Sequence, residues 1–583
     1  MHRYINAIAL FFISLFICEP AYAEVATRAT SLEGSLKIGP AIILIALLIT
    51  FIVVGLLNRA KDTATYWAAG RKISPVGAGM AIASNWMSAA SFLGMAAIMY
   101  GAGYHGLSYV VGWTGGYVLL LVLMASQIRR YGKYTAADFI GDRFYSRGLR
   151  GVGAALAIFV SFSYCVGQFA GIGLMFKWIL GINYMWAVII GASVVLTYTL
   201  ISGMLGVTKN MQIQYVIIIA SFLIPTVILL YHYGYFWAIP QIGYGEIVTD
   251  VVNGLKPVEG LSNTMGHDYG ILPSPEFAMP WDPATGQTAF QWIAIAFSLM
   301  IGTAGLPHVI QRFYVVPKAR DARLSVIWGL FFICVLYWSA PIYTAVGKIL
   351  SANPEVGKLS KDAIVVYAAQ LGDIEALGAL WPLIVGLLAA GGISAAFSTV
   401  SGLLVAGASA FSHDLYHRVF RPEASQKQQM LAARLATIVM AAAVAIVALL
   451  KLGLIAQLVA IAFSLAGCTI FPLFLLGLWW SGSNRTGAWW GVIAGSLVSV
   501  IALLYFVCGK FDITLPAHAF FNYYLNAWYF AWLGAPLAIL CNVIGSMVSR
   551  NKTPVEIRKF LAVEVHGYKP EKVEEAAKEE QAD

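Results

Sequence analysis

Apolar residues run along this chain in stretches of about twenty, the length that crosses a hydrocarbon core of about 30 Å, with short polar segments between them. Thirteen stretches are predicted as membrane helices: 38–57, 76–100, 107–127, 153–175, 183–203, 210–232, 289–306, 325–347, 376–411, 430–450, 453–478, 487–508 and 525–548. A shorter apolar run, 5–18, follows His2 and Arg3 and ends at Ala21-Tyr22-Ala23, the layout of a secretory signal peptide over 1–23. A mature domain is therefore expected over 24–548, followed by a charged cytoplasmic tail at 549–583.

Two stretches break the apolar pattern. In 76–100 the run SNWMSAAS places Ser84, Asn85, Ser88 and Ser91 at mid-membrane depth. Irregular backbone is tolerated there only where protein or a watery cavity surrounds it. In 289–306 the sequence Gly302-Thr303-Ala304-Gly305 precedes Pro307, so helix-loosening residues adjoin one that removes a donor. Interrupted helices at matching places in two halves point to a binding site between inverted repeats. Their spacing divides the chain into a first repeat, 76–232, and a second, 289–478, with extra helices at 38–57 and 487–548 and an extracytoplasmic loop at 233–288. The alternative for 76–100 is a straight helix whose small residues pack against neighbours.

The stretch 376–411 is rich in Gly, Ala, Ser and Thr. Ala395, Ser398 and Thr399 stand at i, i+3 and i+4 and share one helix face. A carbonyl and two hydroxyls there have the oxygen character that completes a hard-cation cage with carbonyls freed in 76–100. A small-residue packing stripe is the competing reading. His308 and Arg312, one turn apart, are gating candidates with Asp138 or Asp142 as partners, or ordinary residues at a membrane edge. Gln168 faces a cavity or bonds a neighbouring helix, and Trp178, Tyr184, Trp479 and Trp480 are read as interface anchors.

Composition agrees: 60% of residues are hydrophobic and 11% charged, against about a quarter charged in soluble domains. The net charge of +9 comes with basic residues in short loops, which set orientation rather than bind nucleic acid. Arg59, Lys61, Arg71, Arg129, Lys133, Lys209, Lys318, Arg418 and Arg485 all fall in loops on one side of the predicted layout, placing the mature N-terminus outside and the C-terminus inside. The six cysteines show neither a disulfide framework nor a zinc spacing. There is no phosphate-binding loop, haem pattern or nucleophile elbow, so no enzyme is expected. The interrupted spans contain no Asp or Glu, which favours sodium over a carboxylate proton relay.

The blocks SNWMSAASFLG (84–94), KYTAADFIGDRF (133–144), GTAGLPHVIQRF (302–313) and STVSGLLVAGASAFSHDLY (398–416) resemble the sodium:solute symporters, and within them the cation–acetate symporters. The resemblance implies an all-α membrane protein of the LeuT-like type, two inverted five-helix repeats with alternating access. It implies a bacterial inner-membrane symporter that imports acetate or a related monocarboxylate with sodium, working in the lipid bilayer without an obligatory protein partner. Carried over by position, sodium takes the carbonyls of Ser84, Met87 and Ala395 and the hydroxyls of Ser398 and Thr399. The substrate then lies against Asn85, Ser88, Thr303, Ala304 and Gly305. Asn85 stands where relatives in the acetate branch often carry an acid. Another solute such as proline, pantothenate or a sugar, and a transporter-like sensor without flux, are the alternatives.

Overall fold

The computed structural model describes residues 36–60, 62–253, 274, 277–281, 287–349, 361–371, 377, 380–550 and 553–569. The signal-peptide expectation, most of the long loop beyond Asn253 and the end of the tail lie outside them. Among the described residues the chain is helical throughout. Ten helices are long and apolar enough to cross a membrane, and a further pair, bent by 43° between Gly305 and Pro307, makes eleven.

The helices that build or support the site are labelled in chain order. They are α1 (Ile38–Leu57), α2 (Pro75–Trp86), α3 (Met95–Ala102), α4 (Ala136–Arg143), α5 (Arg147–Leu180), α6 (Tyr184–His232), α7 (Ala289–Gly305), α8 (Pro307–Gln311), α9 (Leu380–Ser409) and α10 (Ile455–Trp479). α1 has the bounds expected from its apolar run. α6 is 49 residues long, about 70 Å at about 1.5 Å per residue, too long for one crossing. It bends at Gly203, whose φ of +57° suits glycine, and so carries both 183–203 and 210–232. α9 outruns its predicted end by continuing as a π-helix over Ala410–Phe420. In the long loop, Pro240–Asn253 is a helix, and Val555–Phe560 is a helix within the expected tail.

Both interruptions are present. Ser74 caps α2, with Pro75 in its first turn. α2 stops at Trp86, where Met87 turns to ψ 70°, and a π-helical turn at Ala90–Gly94 leads into α3. The second break falls at Leu306 rather than within Gly302–Gly305, which stay helical. Pro307 explains the shift: it forces the preceding residue out of helical geometry, φ −71° and ψ 122°, and starts α8 itself.

Small residues set the distances between helices. A Cβ on Gly302 would lie 2.3 Å from the Phe463 carbonyl of α10, and one on Gly305 would lie 2.6 Å from that of Ala466. On α9, a Cβ at Gly391 would sit 1.7 Å from Ser221 Oγ. These helices touch backbone to backbone at Gly302 and Gly305 and backbone to side chain at Gly391, as membrane helices do when small residues face each other.

At the end of the bundle carrying the basic loops, Arg150 binds Asp138 at 2.6 Å and Asp142 at 2.5 Å, and His413 bonds Asp138 at 3.0 Å. Burial alone would raise the Asp138 carboxyl, but His413 and Arg150 hold it below the ordinary carboxylate range. Asp138 therefore stabilises the fold throughout neutral pH, and that contribution is lost only as pH falls below the usual aspartate value of about 4. Two expectations are corrected here. Asp138 and Asp142 pair with Arg150 and not with Arg312, and His308 and Arg312, each 1% exposed, are deep in the core rather than at a membrane edge. Trp178 is likewise buried, with Lys37 donating to its carbonyl at 2.7 Å.

Asp362, beside the start of α10, is also buried, accepts from Ile455 N–H at 3.2 Å and is pushed up to about 7 by burial, against that bond. A carboxyl raised in the fold destabilises it increasingly as pH rises from about 4, near the unfolded value, to about 7. Asp362→Asn keeps the acceptor and removes the charge. Thermal unfolding in detergent should show Asp362→Asn gaining stability over wild type from pH 4 upward, with the gain levelling above pH 7.

Candidate functional site

The break after α2 leaves backbone carbonyls without helical partners, and α9 supplies groups to them. Ser398 Oγ lies 2.6 Å from the Ser84 carbonyl and 2.8 Å from that of Ala395. Thr399 Oγ1 lies 2.8 Å from the Asn85 carbonyl and 3.1 Å from that of Ala395. All of these residues are buried. Each hydroxyl has one proton and faces two carbonyls, one from the break and the Ala395 carbonyl of its own helix, so oxygens outnumber hydroxyl protons at this point. The hydroxyls Ser84 Oγ and Ser394 Oγ, also buried, have no partner. Oxygen-only donors without a carboxylate, gathered at one point and short of protons, suit a hard monovalent cation.

The structure thus brings together Ser84, Ala395, Ser398 and Thr399. Met87 occupies the break itself, and its amide stays bonded to the Ala83 carbonyl at 2.8 Å. The contact on Thr399 Oγ1 from α2 is the Asn85 carbonyl, a member of the group that the sequence pattern did not single out as a cation ligand. Hydroxyl-to-carbonyl contacts across 314 residues of sequence carry no signal in local spacing.

On the other side of the break Gln168 Oε1 of α5 accepts from Ala89 N–H at 2.8 Å, and Ser88 Oγ accepts from Ala90 N–H at 3.1 Å. These cap the amides that open toward α3. Ser91 Oγ meets Tyr337 OH at 2.8 Å. Large rings wall this region. Trp86 stands edge-on to Tyr117 at 4.7 Å and to Phe463 at 5.4 Å, Trp113 stacks on Tyr337 at 6.0 Å, and Tyr164 faces His308 at 5.4 Å. The nitrogens Trp113 Nε1 and Gln168 Nε2 are buried donors without an acceptor among the described residues. None of this ring wall was anticipated, because its members come from five separate stretches of the chain.

The second break contributes Thr303, Ala304 and Gly305, all buried at the end of α7. Thr303 spends its hydroxyl on the Leu299 carbonyl at 2.7 Å, and Gly305 closes on α10. Of the five expected substrate contacts, Asn85 and Ser88 adjoin the ring wall and the cation group, whereas Thr303, Ala304 and Gly305 are engaged in packing. Arg312 Nη1 donates to Thr208 Oγ1 of α6 at 3.1 Å.

A ligand that binds only the folded protein at 100 times its Kd raises stability by about 2.7 kcal/mol. Sodium should therefore raise the thermal midpoint of the purified protein relative to choline at equal ionic strength. Ser398→Ala/Thr399→Ala should unfold at the same temperature in both salts.

Comparisons with known proteins agree with the geometry. The sequence profile of the sodium:solute symporter family matches residues 66–495. An uncharacterized symporter of Cupriavidus necator is 28% identical, over 86% of this chain and 90% of that protein. The uncharacterized symporter YwcA of Bacillus subtilis is 30% identical, over 80% of this chain and 84% of its own length. Among solved structures, an outward-open, substrate-bound Na+-coupled sialic acid symporter aligns with a TM-score of 0.67 at 16% identity, covering 88% of this chain and 98% of that one. That likeness establishes the shared fold. With interrupted helices, an oxygen cage at one of them and a profile match over most of its length, this chain belongs to the sodium:solute symporter family, and sodium is its coupling ion.

Proposed function

We propose that this protein imports a small monocarboxylate, acetate being the simplest, together with sodium by alternating access across a bacterial inner membrane. The observation that carries the reading is the set of side chains beside the cation cage. Large rings pack there, a surface that suits a short apolar group. Trp113 Nε1 and Gln168 Nε2 are buried donors without an acceptor among the described residues. Neither interrupted helix carries an acid, so nothing opposes an anion, and a cation in the adjacent cage attracts one. A carboxylate with a one- or two-carbon tail satisfies all three conditions.

In this reading sodium is held by Ser84, Ala395, Ser398 and Thr399, with Met87 in the intervening break, and it draws α9 against α2. The solute binds at Asn85 and Ser88 against the rings. Thr303, Ala304 and Gly305 act from the second break by letting α7 approach α10 rather than by direct contact. Sodium drives the cycle only through unequal affinity for the outward and inward states. In this reading the chain crosses the membrane thirteen times with the mature N-terminus outside, and the basic loops, with the Arg150 network, face the cytoplasm. His308 and Arg312 then lie on the inward path from the break. Sugars lack the anionic group that the acid-free breaks and their unpaired donors suit, and no feature of the described residues favours a flux-free sensor.

Labelled acetate uptake into proteoliposomes should require an inward sodium gradient, fall off from acetate through propionate to longer acids, and be lost in Ser398→Ala/Thr399→Ala. Uptake that ignores sodium and survives the double substitution would overturn the cage assignment. Uptake of proline, pantothenate or glucose in place of any carboxylate would overturn the substrate class.

A further inference from the structure

Arg312 is a costly side chain. It is 1% exposed, it belongs to the bent helix pair that together is apolar enough to span a membrane, and among the described residues its Nε and Nη2 have no acceptor. Only Nη1 is engaged, by Thr208 Oγ1 at 3.1 Å and Met204 Sδ at 3.4 Å. A hydroxyl and a thioether orient the guanidinium without neutralising it. A charge held in low dielectric without a counter-charge is expensive, and such residues in membrane helices mark a path or a partner. Among the described residues no ion pair takes Arg312. Asp138 and Asp142 are bound by Arg150.

The unpartnered edge of this guanidinium meets the first break. A Cβ on Gly402 would lie 2.2 Å from Asn85 Oδ1 and 3.0 Å from Arg312 Nη2. Glycine at 402 therefore lets the Asn85 carboxamide and the Arg312 fork face one another with no side chain between them. His308, one turn before Arg312, is buried with neither ring nitrogen bonded. Behind the break, then, lies a second group of unsatisfied nitrogens, and its charge is fixed and positive.

We propose that Arg312 is a second station for the transported anion. Resting on the reading that the solute is a monocarboxylate, the acid leaves the ring-walled space past Asn85. Its two oxygens are then taken by the free Nε and Nη2 of Arg312, with His308 alongside, before release toward the basic end of the bundle. The planar fork matches a carboxylate bidentately, which an ammonium does not. Gly402 keeps the passage between the two stations open. The charge also supplies selectivity, because a neutral isostere gains nothing from Arg312.

The test compares wild type, Arg312→Gln and Arg312→Lys in proteoliposomes, measuring sodium-driven acetate uptake and its inhibition by propionate and by neutral acetamide. Size exclusion and thermal unfolding confirm that each variant is folded. Arg312→Gln should lose about 30-fold or more in uptake, the usual consequence of truncating one member of a desolvated charge pair. It should also inhibit nearly alike with propionate and acetamide, where wild type strongly favours propionate. Arg312→Lys should keep the preference for the anion while turning over more slowly. Should Arg312→Gln fail to fold, Arg312→Lys decides: wild-type uptake in that variant would overturn the bidentate station. Arg312→Gln with wild-type uptake and wild-type preference would overturn the station and leave the carboxylate reading intact. A wild type that accumulates no carboxylate would overturn the function reading, and the station with it.

Discussion

A backbone group without a partner costs several kcal/mol in hydrocarbon, and this protein interrupts a membrane helix in the middle of its core. Everything around the break at Met87 and Ser88 answers to that cost. The amides that open toward α3 are met by Gln168 and Ser88, and the carbonyls that end α2 are met by Ser398 and Thr399. The first pair fully satisfies its groups. The second brings two hydroxyls to the two freed carbonyls and to the Ala395 carbonyl, and an oxygen-rich point of this kind is fit for a cation.

Close approach of helices makes that arrangement possible. α9 reaches the break because Gly391 gives way to Ser221 and Gly402 gives way to Asn85. A π-helical turn, Ala90–Gly94, follows the break directly, and such turns are frequent at functional sites. At the basic end the Arg150 network ties α4 and α5 to the continuation of α9 through Asp138 and His413. The helix that carries Ser398 and Thr399 is thereby anchored to the basic loops about four turns away.

Local chemistry was legible in the sequence and tertiary placement was not. The apolar run of α1, the polar interruption at 84–91 and the shared face of Ala395, Ser398 and Thr399 follow from spacing alone, and the chain folds them as spacing suggests. The second break was read at the glycines, but Pro307 decided it, because a proline dictates the conformation of the residue before it more strongly than a glycine loosens its own. Arg312 was misplaced at a membrane edge and given Asp138 or Asp142 as partners. Its real neighbours, Met204 and Thr208, are more than a hundred residues away in sequence, and Arg150 had already claimed both acids. The ring wall escaped notice for the same reason, since aromatic residues in membrane helices look alike until packing selects among them.

The central claim is that the contact between the first break and α9 is a sodium cage rather than a closed hydrogen-bonded seam. An experimental structure of the protein in saturating sodium, compared with one in choline, tests it directly. The account predicts sodium density between the Ser84 and Ala395 carbonyls and the hydroxyls of Ser398 and Thr399, with both hydroxyl protons turned away from the carbonyls and the oxygens slightly spread. The same closed contacts in both salts, with sodium found elsewhere or nowhere, would contradict it.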